Sequence, residues 1–211
     1  MATKCNGAVL DRREQILEAA MLCFAKRGFH QASMHDISAE AGISVGLIYR
    51  YFKNKEEVIA AIATEHKKHI ADLLERAKQA PTLLEAMEIL FTSHCGEQRS
   101  PQIISAFVVD LFAEASRNPR VAKILRNVVK SKADGVADLI ARSPEGRRLA
   151  PWLDPHQIAE MIFAVNDGTM MRTVFRASNT SATRQRERQI DVARTLWRLL
   201  FSQNSHANGH I

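Results

Sequence analysis

The sequence contains little cysteine, and its cysteines are not paired along the chain. Cys5, Cys23 and Cys95 are the three present, and no two of them form a C-x-x-C motif. An odd number of widely spaced cysteines disfavours a disulfide framework and a cysteine-based metal or redox site. We therefore expect free thiols and a reducing, cytoplasmic location.

The sequence also lacks long apolar runs and the alternating pattern of β-strands. It has no stretch of about 18 uncharged apolar residues and no basic-then-apolar leader, so neither a membrane partner nor secretion is expected. Apolar residues instead recur every three or four positions between Asp11 and Phe201, which predicts an all-α fold. The length of 211 residues is sufficient for a small recognition domain and a larger helical domain.

The charge balance is moderately basic. The formal net charge is +6 and the isoelectric point is about 9.5. This balance favours a polyanionic partner such as DNA. It does not by itself locate a DNA-binding face.

Capping residues, glycines and prolines divide the chain into predicted helices. A serine or threonine before an apolar-periodic segment indicates a helix start, whereas a glycine or proline after it indicates an end. These signals predict four helices in the first part of the chain: Arg12–Arg27, Met34–Ala41, Val45–Phe52 and about Lys55 to Ala80. Prolines and polar turns predict four or five more, among them His156 to Arg176 and Gln185 to Ser202.

The segment from Asp36 to Phe52 has the spacing of a helix-turn-helix. An eight-residue helix, a tight turn through Gly42 and a second short helix follow one another, and the second helix is short enough to fit a DNA major groove. Gly42 suits the positive φ of such a turn. Four apolar residues are expected to hold the two helices together: Ile37, Ala41, Ile43 and Ile48.

The second helix of this motif carries groups that suit DNA. Ser44 can cap the helix, so that its free N–H groups point at a phosphate, and Gly46 would let the backbone approach DNA closely. Hydroxyl and cationic groups suited to phosphates or base edges follow in Tyr49, Arg50, Tyr51, Lys53 and Lys55. Val45 and Leu47 offer apolar contacts to thymine methyl groups. The alternatives are core packing for Tyr49 and Phe52, and a solvated face for the basic residues.

The segment from Ile16 to Val58 resembles the DNA-binding domain of the TetR family of bacterial repressors. The matching text is IL-x-AA-x-x-x-F-x-x-x-G-F followed by ISAEAGIS-x-G-x-IY-x-YF-x-x-K-E. The resemblance implies that Val45 to Tyr51 enters the major groove, that Tyr49, Tyr51 and Lys55 contact the DNA backbone, and that Ser33 and His35 contribute from the preceding helix. Val45 and Leu47 depart from the polar, basic or small residues that the family often has there, so base preference is not carried over.

The resemblance also implies an architecture for the rest of the chain. We predict a flexible arm (1–10), a three-helix DNA-binding domain (11–57, with its motif at about 34–53), a helical ligand-binding and dimerisation domain (58–203) and a disordered tail (204–211). The expected partners are double-stranded operator DNA, a second copy of the chain and a small lipophilic or cationic effector, without a cofactor. An effector that tilts the long helix would change the spacing of two recognition helices and release the operator.

Candidate effector-binding residues lie on apolar helix faces of the larger domain. Aromatic, aliphatic and sulfur-containing side chains with a few polar tips are typical of a small-molecule pocket. The candidates are Phe91, His94, Phe107, Leu111, Phe163, Asn166 and Met170, with Asp110, Glu114 and Asp167 as carboxylates that could attract a cation. Core packing is the alternative for the apolar residues, and a surface position is the alternative for the acids.

The last two predicted helices present a broad apolar surface suited to an intermolecular four-helix bundle. The candidate dimerisation residues are Met161, Val165, Ile190, Ala193, Leu196, Trp197, Leu200 and Phe201. Burial within one subunit is the alternative for this surface.

Two other classes of function are alternatives to a ligand-responsive regulator. An enzyme would have to use Ser93 beside His94, or a metal held by His66 and His69, but the sequence offers no third ligand at a matching spacing. For His66 and His69 a solvated helix face is the preferred interpretation. A DNA-binding module without ligand control is disfavoured by the size of the second domain.

Overall fold

The computed structural model describes residues 11–92, 100–174 and 182–201. The predicted arm (1–10), the predicted tail (204–211) and the candidate residue His94 lie outside these ranges. Within them the regular structure is helical, as expected, with a short 3-10 turn at Gly146–Arg148. The α-helices are α1 (Arg12–Arg27), α2 (Met34–Ala41), α3 (Val45–Tyr51), α4 (Lys55–Ala77), α5 (Leu83–Thr92), α6 (Pro101–Ala115), α7 (Pro119–Arg142), α8 (Pro155–Val174) and α9 (Ala182–Phe201).

Local capping chemistry explains where the N-terminal helices begin. The side chains of Asp11, Ser33, Ser44 and Asn54 accept hydrogen bonds from backbone N–H groups in the first turns of α1, α2, α3 and α4. These N–H groups have no partner inside their helix, so a capping side chain stabilises each start by about 1 kcal/mol. Asp36 also accepts a hydrogen bond from the Ser33 backbone and completes a capping box.

Three prolines that the sequence marks as breaks are the first residues of helices. Pro101, Pro119 and Pro155 begin α6, α7 and α8. A proline is tolerated at the first helical position because its missing N–H would have no partner there in any case. Pro81 has the expected terminating role, since α4 ends at Ala77 and the next helix begins at Leu83.

The helices form two hydrophobic cores that share α4. The first core joins α1, α2 and α3 to the start of α4, and it includes Phe107 from α6 and Val121 from α7. The second core joins α5, α7, α8 and α9 around Trp197 and includes Ala77 at the end of α4. Because α4 continues across the predicted boundary at residue 57, one rigid helix connects both cores.

No helix in the described part of the chain is both long and apolar enough to cross a membrane.

Candidate DNA-binding face and effector cavity

The turn between α2 and α3 has the geometry of a helix-turn-helix. Gly42 ends α2 in the left-handed region, with φ of +66°, where a side chain would be strained. Ile37, Ala41 and Ile48 are buried in the first core, and Ile43 packs against it. The apolar residues predicted to join the two helices therefore do so.

Most of the predicted DNA-contacting residues lie on one accessible part of this motif. The exposed members are Ser33, His35, Ser44, Gly46, Tyr49, Arg50, Tyr51 and Lys53, and the half-buried ones are Val45 and Leu47. The side chain of Tyr49 is 54% exposed and that of Tyr51 is 42% exposed, whereas Phe52 is only 5% exposed. Core packing is thus the role of Phe52, and the two tyrosines are accessible to a partner.

Lys55 differs from the other predicted contacts, because its ammonium group already has partners inside the protein. Its Nζ donates to the carbonyl oxygens of Phe29 and His30 and lies 4.5 Å from the centroid of the Phe29 ring. Those carbonyls belong to the turn that follows α1, so the contact ties the start of α4 to that turn. The prediction that Lys55 contacts DNA is therefore corrected: Lys55 has a structural role, and the proposed DNA contacts do not include it.

A cavity of about 540 Å³ lies between the two cores, within the range of about 300–1,000 Å³ usual for small-molecule sites. It is lined by residues of α1, α4, α5, α6, α7 and α8, and most of its lining is apolar. Seven of the predicted effector-binding residues are in the lining: Phe91, Phe107, Leu111, Phe163, Asn166, Asp167 and Met170. The structure thus brings together side chains that are up to 79 positions apart in sequence.

Asp110 and Glu114 do not line this cavity, which corrects their assignment as effector contacts. The Asp110 carboxylate accepts a hydrogen bond from the backbone N–H of Phe29, in the turn after α1. Glu114 is 7% exposed and accepts a hydrogen bond from the side chain of Asn118 at 3.0 Å. Asp110 thus binds the turn after α1, and Glu114 binds the residue that precedes α7. Neither carboxylate supports the expected attraction of a cation into the cavity.

Two sets of polar side chains, the histidines of α4 and Lys132 of α7, line the cavity although the sequence alone indicated another role or none. His66 and His69 line it, so the interpretation of this part of α4 as a solvated face is wrong. Burial lowers the pKa of His66 to about 4, and the nearby positive charges of Lys132 and His69 contribute to this shift. The signal was available in the sequence, because Ile59, Ile62 and His66 share helical spacing with the apolar face of α4.

Lys132 is the second of these groups, and it forms a polar cluster with residues from α8. Burial lowers the pKa of Lys132, and the charge of Asp167 opposes that effect. Burial raises the pKa of Asp167, opposed by Lys132 and by a hydrogen bond from Asn166. Lys132 and Asp167 thus interact electrostatically within the lining, which also includes the carboxylates of Glu14, Glu18 and Glu65.

Comparisons with known proteins agree with this geometry. Residues 16–62 match the model of the family described as bacterial regulatory proteins, tetR family. This match covers α1, α2 and α3 and the first part of α4, the helices that build the first core. The chain carries the DNA-binding domain of a TetR-family transcription regulator.

The similarity to known regulators extends beyond the DNA-binding domain. The HTH-type transcriptional regulator UidR of Escherichia coli K12 is 26% identical over 162 residues, which cover 75% of this chain and 79% of UidR. The structure of Salmonella enterica GusR superposes with a TM-score of 0.71 at 24% identity, covering 93% of this chain and 98% of GusR. Bacillus subtilis FadR in complex with stearoyl-CoA superposes with a TM-score of 0.65 at 20% identity, covering 85% and 96% of the two chains.

These relationships place the TetR-family chain among transcription regulators and not among enzymes. Over residues 11–92, 100–174 and 182–201, no three histidine, cysteine, aspartate or glutamate side chains form a group that could hold a metal ion. Ser93 and His94, the other pair considered for catalysis, lie outside the described residues.

The predicted dimerisation residues of the regulator fall into two sets. Trp197 and Ala193 are 1% and 9% exposed, and the Trp197 ring lies 5.3 Å from that of Phe91 in the second core. Their assignment to an interface is therefore corrected to core packing. Met161 and Val165 on α8 are exposed, and Ile190, Leu196, Leu200 and Phe201 on α9 are half-buried. Leu199 is 60% exposed and adds an apolar side chain that the sequence analysis did not include.

Proposed function

We propose that this regulator is a cytoplasmic homodimeric repressor, which binds a pseudo-palindromic operator and is released when a small lipophilic effector enters the cavity. The observation that carries the proposal is the position of the cavity. Leu17, Ile59 and Phe107 line it and are also members of the first core, which supports α3. An occupant of the cavity therefore touches the same side chains that position the recognition helix.

The lining favours a lipophilic effector. Apolar side chains of α4, α6 and α7 make up most of the surface, and burial of an apolar ligand there contributes about 25 cal/mol for each Å² removed from water. The structure of B. subtilis FadR with stearoyl-CoA shows that a related fold accepts a molecule with a long apolar chain. A cationic effector has weaker support, since two of the three carboxylates expected to attract it lie elsewhere.

The release mechanism follows from the continuity of α4. An occupant that prefers a different tilt of α4 shifts the equilibrium toward that tilt, by an amount equal to its difference in affinity for the two states. Because α4 begins beside α3 and the turn after α1, a tilt of α4 changes where the recognition helix lies. In a dimer, two such shifts change the spacing between the helices that read successive major grooves.

The first experiment tests DNA binding. We expect the purified protein to select a genomic fragment, to bind it with an affinity that falls steeply with salt, and to lose affinity in the variant Tyr49→Ala without loss of stability. Phe52→Ala is the contrasting variant. It removes a buried aromatic ring and is expected to destabilise the fold by about 3–5 kcal/mol, which shows how loss of DNA binding through loss of stability would look. A protein with no salt-sensitive preference for any fragment would contradict the proposal.

The second experiment tests release. A thermal-shift survey of lipophilic and cationic compounds should identify ligands that raise the unfolding temperature, because a ligand of the folded state stabilises it. A compound found in this way is then titrated into the complex of protein and labelled fragment, with fluorescence anisotropy as the readout. Tight binding of such a compound without any change in DNA affinity would refute the coupling.

A further inference from the structure

Lys132 is a cation inside the cavity that no carboxylate neutralises directly. Among the described residues, the Lys132 Nζ forms no salt bridge with a carboxylate and donates no hydrogen bond; it lies 5.1 Å from the centroid of the Phe163 ring. Asp167 acts on it only through a longer-range electrostatic interaction. Lys132 is half-buried, and partial burial disfavours an ammonium that lacks a hydrogen-bonded counter-ion.

We infer that the effector is an amphiphile with an acidic head group, and that Lys132 binds this head group while the apolar lining holds the hydrocarbon part. This assignment of ligand class rests on the proposed function of the cavity. A carboxylate beside Nζ would replace the missing counter-ion and form a charge-assisted hydrogen bond in apolar surroundings, where such bonds are strongest.

The neighbours of Lys132 are consistent with this occupant. His66 is close enough for the charge of Lys132 to affect its ionisation, and its neutral imidazole can donate one hydrogen bond to a carboxylate oxygen. Asn166 offers a further amide donor, although it already bonds to Asp167. The head group thus meets a cation and up to two neutral donors at one place in the cavity.

The other acidic residues of the lining do not provide an equivalent site for a cation. Glu65 is exposed and pairs with Arg13 at 2.6 Å, and Glu14 is exposed. Glu18 is half-buried and already takes part in another interaction. Asp167 is half-buried, and it already has Asn166 as a hydrogen-bond donor and Lys132 as an opposite charge. A cationic ligand would have to compete with Lys132 for Asp167, whereas an anionic ligand finds the ammonium without an ion-pair partner.

The test uses three probes with the same hydrocarbon chain: decanoate, 1-decanol and decylamine. Their dissociation constants for the purified full-length protein are measured by isothermal titration calorimetry at pH 7, below the concentrations at which they form micelles and without DNA. We expect decanoate to bind at least about tenfold more tightly than decanol. Equal affinities, tightest binding of decylamine, or no binding of any probe would overturn the assignment.

Variants of Lys132 decide whether this residue is responsible. Lys132→Met should remove the preference for decanoate over decanol while decanol still binds, and Lys132→Arg should keep it. Lys123→Met is the matched control, since Lys123 is an exposed residue of the same helix and its loss should change none of the three affinities. A preference for decanoate that persists in Lys132→Met would overturn the proposal.

A second variant keeps the test decisive if Lys132→Met does not fold. Asp167→Asn removes the negative charge near the head group, so it should raise the affinity for decanoate and lower that for decylamine; no change in either would count against the site. The proposed function is tested separately by adding decanoate to the complex with DNA. Lys132-dependent binding without release of DNA would support the head-group site and contradict ligand control of the operator.

Discussion

At Gly46, alanine would stabilise the helix better than glycine, whereas glycine suits the proposed contact with DNA better than alanine. It lies in the first turn of α3, and a Cβ added to it would meet no atom of the protein within 4 Å. Glycine in a helix is less favourable than alanine by about 0.5–1 kcal/mol, and no contact among the described residues explains its presence. The proposed close approach of a DNA backbone would explain it.

We therefore predict that Gly46→Ala stabilises the protein and weakens its binding to DNA. The free energy of unfolding should rise by up to about 1 kcal/mol in urea titrations, while the affinity for the selected fragment falls at least several-fold in anisotropy measurements. Gly42→Ala is the contrasting variant, because its positive φ should make the same substitution destabilising. Unchanged DNA affinity in Gly46→Ala would argue against close approach at this position.

His66 makes the free energy of unfolding of the protein depend on pH. Its pKa in the folded protein is about 4, below the ordinary value of 6.5, chiefly because of burial. Below pH 6.5 the unfolded chain binds a proton at this residue that the folded chain does not. The contribution of neutral His66 is therefore complete above pH 6.5 and is lost as the pH falls toward 4, by at most about 3 kcal/mol.

The prediction is that His66→Gln flattens the dependence of stability on pH between about 6.5 and 4. Unfolding free energies of wild type and variant are compared at several pH values in this window, so that titrations common to both cancel. His30→Gln serves as the control, since His30 is an exposed histidine. Parallel curves for wild type and His66→Gln would show that the buried imidazole is not the source of the effect.

The turn after α1 is held by two other helices, which makes it a junction between the cavity and the DNA-binding helices. Asp110 of α6 accepts a hydrogen bond from the Phe29 N–H, and Lys55 of α4 donates to the Phe29 carbonyl. Phe107 and Leu111, on the same helix as Asp110, line the cavity. We therefore expect the Asp110 carboxylate to pass a shift of α6, caused by an occupant of the cavity, to the turn after α1.

We predict that Asp110→Ala lowers the stability of the fold and reduces the release of DNA by an effector. Removing the acceptor leaves the part-buried Phe29 N–H without a partner, so unfolding should become easier by about 1–3 kcal/mol. An effector found in the thermal-shift survey should still bind to the variant but release less DNA, as measured by calorimetry and anisotropy on the same sample. Asp110→Asn retains an acceptor oxygen, so its stability and DNA release should lie between those of the wild type and of Asp110→Ala. If an effector releases DNA fully from Asp110→Ala, the Asp110 carboxylate does not transmit the shift of α6.

The helices themselves were largely predictable because their signals are local. Asp11, Ser33 and Ser44 cap helices through contacts no more than three residues away, and Gly42 forms its turn from its own backbone freedom. The predicted bounds of α1 and α2 agree with the structure, and the long helix differs only in ending at Ala77. Such features depend on the neighbouring sequence and not on the rest of the fold.

The direction in which individual side chains point was less predictable, since it depends on residues far away in sequence. Asp110 and Glu114 share helical spacing with cavity residues, yet Phe29 and Asn118 engage them. Lys132 was not considered because an isolated lysine in a charged helix usually faces solvent. Its position in the cavity follows from the packing of α7 against α4 and α8. Gly135 allows close approach of α7 to α4, since a Cβ added there would clash with the side chain of Leu74.

The proposed dimer depends on apolar side chains that a single subunit leaves exposed on α8 and α9. Met161 is 51% exposed and Leu199 is 60% exposed, although both helices otherwise pack into the second core. Large apolar side chains on two adjacent helices are typical of an interface. The buried residues Trp197 and Ala193 support these helices from inside the subunit, so they are unsuitable targets for testing association.

We predict that the double variant Met161→Glu and Leu199→Glu is a folded monomer with weak DNA binding. Buried carboxylates at an apolar interface lack partners and oppose association, whereas at exposed positions of a monomer they should change stability little. Linking two recognition helices raises affinity at least about a hundredfold, so the monomer should lose that factor in anisotropy titrations. Arg126→Glu, a charge change at an exposed position of α7, should remain dimeric in sedimentation analysis. If the double variant sediments as a dimer, these helix faces do not form the interface, and the spacing of the recognition helices must be set elsewhere.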